Sequence, residues 1–111
     1  MTESEFLKQA EVTLGQIEVA LEHLSDAGDV DVECTRSGNV LEIEFIDNGS
    51  KIIVNSQAPM QELWVAAKSG GFHFKADGTQ WVGTRDGAEL FAALSQMVSS
   101  QGGADVVLKA E

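Results

Sequence analysis

From residue 29 to residue 84 the chain breaks into short runs of strand-forming residues, each closed by a turn signal. Asp29 to Cys34, Val40 to Ile46 and Lys51 to Asn55 are the first three, divided by Ser37-Gly38-Asn39 and by Asp47-Asn48-Gly49-Ser50. The Asn-Gly step in the second divider is a strong hairpin signal, because both residue types tolerate positive φ. Glu62 to Ala67, Phe72 to Lys75 and Gln80 to Thr84 follow, divided by Ser69-Gly70-Gly71 and Asp77-Gly78, with Pro59 in the loop before the fourth run. Consecutive short strands joined by tight turns make an antiparallel meander.

A helix pattern lies on either side of the meander. Phe6, Ala10, Leu14, Ile17, Leu21 and Leu24 recur at three- and four-residue steps and make one apolar face. Ser4, flanked by Glu3 and Glu5, suits its start, and Asp26-Ala27-Gly28 its end. The second helix carries Leu90, Leu94, Met97 and Val98 on one side, with Phe91 beside them, and closes at Gln101-Gly102-Gly103. Val106-Val107-Leu108 is expected to be a short extended tail against the helices. Strands that alternate have one wet face, and two helices can cover the other. The expected architecture is a single domain, residues 1–111, of α+β class: a two-layer α-β sandwich with both helices on one face of an antiparallel sheet.

The charge is lopsided. The chain has 18 acids against 7 bases, a formal net charge of −11. The bases are dispersed, whereas a nucleic-acid binder clusters them to displace counterions, so nucleic acid and anionic membranes are excluded as partners. No apolar run approaches the roughly 18 residues of a membrane span. The acidic start, Met1-Thr2-Glu3-Ser4-Glu5, is unlike a signal peptide. These features predict a soluble, cytoplasmic protein. No nucleotide loop, CxxC, HExxH or Ser-His-Asp constellation is present, so no conventional active site is visible. Cys34, the one cysteine, shares the apolar phase of its strand with Val30 and Val32 and reads as a small buried hydrophobe.

Nine of the first thirty-three residues are acidic. Glu11, Glu18 and Glu22 fall within about 40° of each other on one flank of the first helix. Asp29, Asp31 and Glu33 alternate with apolar residues and point one way. A like-charge i,i+4 pair such as Glu18 and Glu22 destabilises by roughly 0.2–0.5 kcal/mol. Concentrating charge at that cost suggests a cationic partner, either a metal ion or a basic protein surface; a plain solubility surface is the alternative. Carboxylates are hard oxygen ligands, and an exposed ridge of them favours weak, labile binding. On the other layer, strand alternation turns Asn55, Gln57, Trp64 and His73 to the wet face, while Trp81 is expected in the core. An exposed tryptophan beside amides suits a protein-interaction anchor.

The stretch Asn48-Gly49-Ser50-Lys51-Ile52-Ile53-Val54-Asn55, then Gln57-x-Pro59, Leu63-Trp64-Val65-Ala66, Ser69-Gly70-Gly71-Phe72-His73-Phe74, Trp81-Val82 and Arg85-Asp86-Gly87, resembles the frataxin family, and its bacterial members in particular. Ser4-Glu5-Phe6 and Asp29-Val30-Asp31-Val32-Glu33 fit as well, so the resemblance runs through nearly the whole chain. It implies a frataxin-like fold and a role in iron–sulfur cluster assembly without turnover. It implies weak binding of iron, Fe2+ or Fe3+, at an acidic ridge of Glu11, Glu18, Glu22, Asp26, Asp29, Asp31 and Glu33. It also implies a partner face of Asn55, Gln57 and Trp64 for the cysteine desulfurase of the assembly machinery, with the iron–sulfur scaffold protein as a second candidate partner. A monomer is expected, with iron-induced oligomers as the alternative. Two other functions stand beside this one. An iron chaperone or store with ferroxidase activity is disfavoured, because neither helix carries Glu-x-x-His. A generic acidic interaction module would need neither metal nor Trp64.

Overall fold

The computed structural model describes residues 1–110. Helix α1 spans Glu3–Asp26 and is capped by Thr2. Thr2 Oγ1 accepts the Glu5 backbone N–H at 3.1 Å, and the Thr2 N–H donates to Glu5 Oε1 at 2.8 Å. This reciprocal box explains why the helix begins before Ser4, where the sequence placed the start: three residues after Thr2 stands a glutamate, three after Ser4 stands Leu7.

Six strands follow: β1 (Val32–Ser37), β2 (Val40–Phe45), β3 (Lys51–Gln57), β4 (Glu62–Ala67), β5 (Gly70–Asp77) and β6 (Gln80–Gly83). They pair antiparallel in sequence order as one sheet. A single 3-10 turn, Ala58–Met60, carries Pro59 between β3 and β4. Helix α2 spans Leu90–Gly102. The α+β sandwich read from the sequence is the architecture found.

Strand boundaries differ from the sequence pattern where pairing decides them. β1 begins at Val32 rather than Asp29, because Val32 pairs with Phe45, the last residue of β2. Asp29 to Asp31 therefore lie outside the ladder, although the Asp31 carbonyl still accepts the Ile46 N–H at 3.1 Å. Their alternation survives: Val30 is buried while Asp29 and Asp31 are exposed. β5 begins at Gly70 rather than Phe72, because Ala67 pairs with Gly70 across the two-residue turn Lys68-Ser69.

The sheet's inner face carries Leu41, Ile43, Phe45, Ile52, Val54, Leu63, Val65, Phe74 and Trp81, all buried against Phe6, Leu14, Ile17 and Leu21 of α1 and Leu90, Leu94 and Val98 of α2. Burying each such side chain contributes about 1.5–3 kcal/mol. Trp81 meets Phe6 edge-on at 5.8 Å, and its Nε1–H donates to Thr13 Oγ1 at 2.8 Å. Gln101, also buried, ties α2 to two turns of the sheet. Its Oε1 accepts the Lys68 N–H at 2.9 Å, and its Nε2 donates to Ser50 Oγ at 3.1 Å. The tail folds back on α2: the N–H groups of Val106 and Leu108 donate to the hydroxyls of Ser99 and Ser95, and both side chains are buried.

Candidate functional site

The acids of α1 lie along the flank that borders β1. Arg36 sits on the inner phase of β1, with Val32 and Cys34, and its guanidinium reaches back to the helix. Its two terminal nitrogens meet Glu18 Oε1 at 2.5 Å and Glu11 Oε2 at 2.6 Å. Glu11 and Glu18 are thus bridged by one cation from the sheet. Glu11 is 71% exposed, so its pair adds little stability, but the pairing fixes where positive charge already sits on the ridge. Glu22, Asp26, Asp29, Asp31 and Glu33 are exposed.

Sheet register divides the remaining acids. Glu33 points to the outer face, away from the helices, and stands directly opposite Glu44 of β2. Like charges opposite each other destabilise a sheet, so this edge is strongly negative. Thr35 pairs with Glu42, which lies 3.6 Å from Lys51 Nζ. Among the described residues no three His, Cys, Asp or Glu side chains come together in a metal-holding cluster. The acidic surface therefore offers a cation dispersed carboxylates rather than a gathered ligand set. Such carboxylates are hard oxygen donors, compatible with hard cations such as iron, and they do not build a tight cage.

Cys34 lies between this flank and the sheet. Burial pushes its thiol up to about 11, and the carboxylates of Glu18 and Glu22 add to the rise. The neutral thiol is neither nucleophile nor metal ligand at neutral pH. Below pH 9 the thiol is protonated in both folded and unfolded chains. Between about pH 9 and 11 only the unfolded chain ionises, so stability is lost as pH rises through that window. Cys34→Ser is expected to flatten the decline in urea midpoint across it.

The middle of the outer face is built differently. Asn55, Trp64 and His73 are register partners across β3, β4 and β5, and Gln57, Glu62 and Lys75 form the next row. The Trp64 indole and His73 imidazole stack with centroids 4.3 Å apart and planes 5° from parallel. The Trp64 Nε1–H donates to Glu62 Oε1 at 2.8 Å, and His73 Nδ1 lies 3.5 Å from the same oxygen. Trp64 is half-buried and His73 exposed, so the stack is reachable from solvent. Asn55, Gln57 and Trp64, singled out from the sequence, therefore lie side by side. The ridge residues are spread over the helix flank, the α1–β1 turn and the far face of β1.

Three residues of these surfaces escaped the sequence reading as site residues: Arg36, Glu44 and Glu62. Glu44 has a local signal, since it alternates with the inward Ile43 and Phe45 along β2. Arg36 lies 18 and 25 residues from its partners, and nothing local announces either contact.

A two-layer sandwich with an acidic helix flank and an amide-flanked tryptophan on a wet sheet face is the class these observations define, and comparison with known proteins makes it specific. The frataxin-like domain model matches residues 1–104. The chain belongs to the frataxin family, as a bacterial CyaY-type member. It is 84% identical over 109 residues to the iron-sulfur cluster assembly protein CyaY of Janthinobacterium sp. (strain Marseille), covering 98% of this chain and 97% of that one. It is 81% identical to the protein of the same name from Herminiimonas arsenicoxydans, with the same coverage. Among solved structures, the frataxin of Psychromonas ingrahamii superposes with a TM-score of 0.86 at 29% identity, over 98% of this chain and 99% of that one. The trimeric frataxin of Saccharomyces cerevisiae, solved with ferrous iron, gives 0.72 at 26% identity over 86% of each chain.

Proposed function

We propose that this protein is a non-catalytic accessory factor of cytoplasmic iron–sulfur cluster assembly. On this reading it binds iron weakly on its acidic surface and docks on the cysteine desulfurase through the outer sheet face, changing that enzyme's rate. The observation that carries the reading is the solvent-reachable Trp64–His73 stack with Asn55 beside it, on a sheet whose far edge is the acidic pair Glu33 and Glu44. A large flat aromatic supplies apolar burial, and the neighbouring carboxylates supply charge complementarity to a basic partner. The names of the CyaY relatives and the ferrous complex of the yeast frataxin support the same reading.

Iron and the desulfurase would compete for one negative surface, which links iron supply to the contact. The expected signature is a desulfurase affinity that weakens steeply with salt and changes with Fe(II). Isothermal titration of the desulfurase at low and high salt, with and without Fe(II), checks it. An affinity indifferent to both contradicts the reading.

Arg36 gives a sharper test of the metal surface. Arg36→Ala removes a cation from the ridge and releases Glu11 and Glu18, so Mn(II) or Fe(II) affinity is expected to rise about fivefold. No change would confine the metal to the stretch from Glu22 to Glu33. Turnover of iron is disfavoured by the scattered acids: a di-iron oxidase gathers Glu and Glu-x-x-His donors into one buried site.

A further inference from the structure

We propose that Glu62 is a positioning residue of the docking face: its buried carboxylate holds the Trp64 indole against the His73 imidazole and presents the two rings as one preformed surface. This rests on the docking reading above and adds a residue through which Trp64 acts.

Glu62 is 5% exposed although it lies on the sheet face turned to solvent, where glutamate is ordinarily hydrated. Its register neighbours are Gln57 on β3 and Lys75 on β5, and the Trp64 and His73 rings lie one row along. Its Oε1 serves both rings, accepting from Trp64 Nε1 at 2.8 Å and lying 3.5 Å from His73 Nδ1. An indole has one polar hydrogen. Fixing that hydrogen on a buried acceptor while an imidazole covers one ring face leaves little freedom at either χ angle. Trp64 is half-buried and His73 exposed, so the stacked pair stays reachable by a partner. A side chain already held in its bound pose loses less freedom on association, and preorganisation of this kind raises affinity without any new contact. Glu62 touches no partner in this scheme; it acts through Trp64.

The test compares Glu62→Met, which keeps side-chain length but removes the acceptor, with Glu62→Gln, which keeps an acceptor oxygen without the charge. Trp64→Ala and the Glu62→Met/Trp64→Ala double variant complete a cycle. Two quantities are read: the Kd for a bacterial cysteine desulfurase, and the Trp64 indole 15N–1H resonance of the free protein. Glu62→Met is expected to weaken binding about tenfold and to move and broaden the indole resonance, with Glu62→Gln recovering most of both. In the Trp64→Ala background Glu62→Met is expected to have no further effect. If Glu62→Met leaves the affinity unchanged while Trp64→Ala weakens it, the positioning role is overturned and docking stands. If Trp64→Ala itself leaves the affinity unchanged, docking through this face fails. An unmoved indole resonance in Glu62→Met overturns the positioning role in either case. Should Glu62→Met fail to fold, Glu62→Gln with an unmoved resonance supports the acceptor role, and one with a displaced resonance overturns it.

Discussion

Trp64→Arg is expected to weaken binding to a bacterial cysteine desulfurase by about thirtyfold or more, the loss typical of a central aromatic hot spot. The structural reason is placement. Trp64 lies in the middle of the outer face, flanked in register by Asn55 and His73, and contributes nothing to the core beneath. Arginine keeps length and can still pair with Glu62, but it removes the flat apolar surface and the stack on His73. Stability should change less than binding does, because the guanidinium supplies the buried Glu62 carboxylate with a donor in place of the indole N–H. Titration calorimetry beside a urea melt separates the two effects. An unchanged affinity would remove Trp64 from the interface, and a collapsed melt would show that the residue is structural instead.

The other tryptophan should behave in the opposite way. Trp81→Ala is expected to cost about 3–5 kcal/mol of stability, the range for emptying a buried aromatic site. Trp81 is 2% exposed, packs edge-on against Phe6 and joins β6 to α1 through Thr13. Its removal opens a cavity between the last strand and the first helix. Since domains of this size are stabilised by about 5–15 kcal/mol, the variant would keep little of its margin. A urea titration followed by far-UV circular dichroism checks this. A loss under 1 kcal/mol would mean that the helix does not depend on the ring.

The outward placement of Trp64 was legible from the sequence, because strand period is a local property. Ile52 and Val54 turn inward, so Asn55 turns outward, and parity likewise turns Trp64 out between Leu63 and Val65; Gln80-Trp81-Val82 carries no such alternation, and Trp81 is expected inside only because a large aromatic on a late strand is more often core. Strand ends were less legible. β1 begins at Val32 because β2 ends at Phe45, and a partner's length is not written in the strand itself. The cap at Thr2 has a local signature, Glu5 three residues on, which sets it apart from Ser4, where the start is expected from the sequence. The least legible features were electrostatic and long-range. Arg36 closes on Glu11 and Glu18 only when β1 lies beside α1, and Glu62 reads as a solvated strand-opening glutamate until two rings cover it. The acidic ridge, continuous as a count of carboxylates, is divided in space by the direction in which Glu33 points.

The most direct test of the account is the rate of a bacterial cysteine desulfurase with and without this protein, at low and high Fe(II). The account predicts a rate that changes when the protein is added, changes again with iron, and returns to that of the enzyme alone when Trp64→Arg replaces the native chain. A rate indifferent to the protein at every iron level, with no binding in the same buffers, would contradict it.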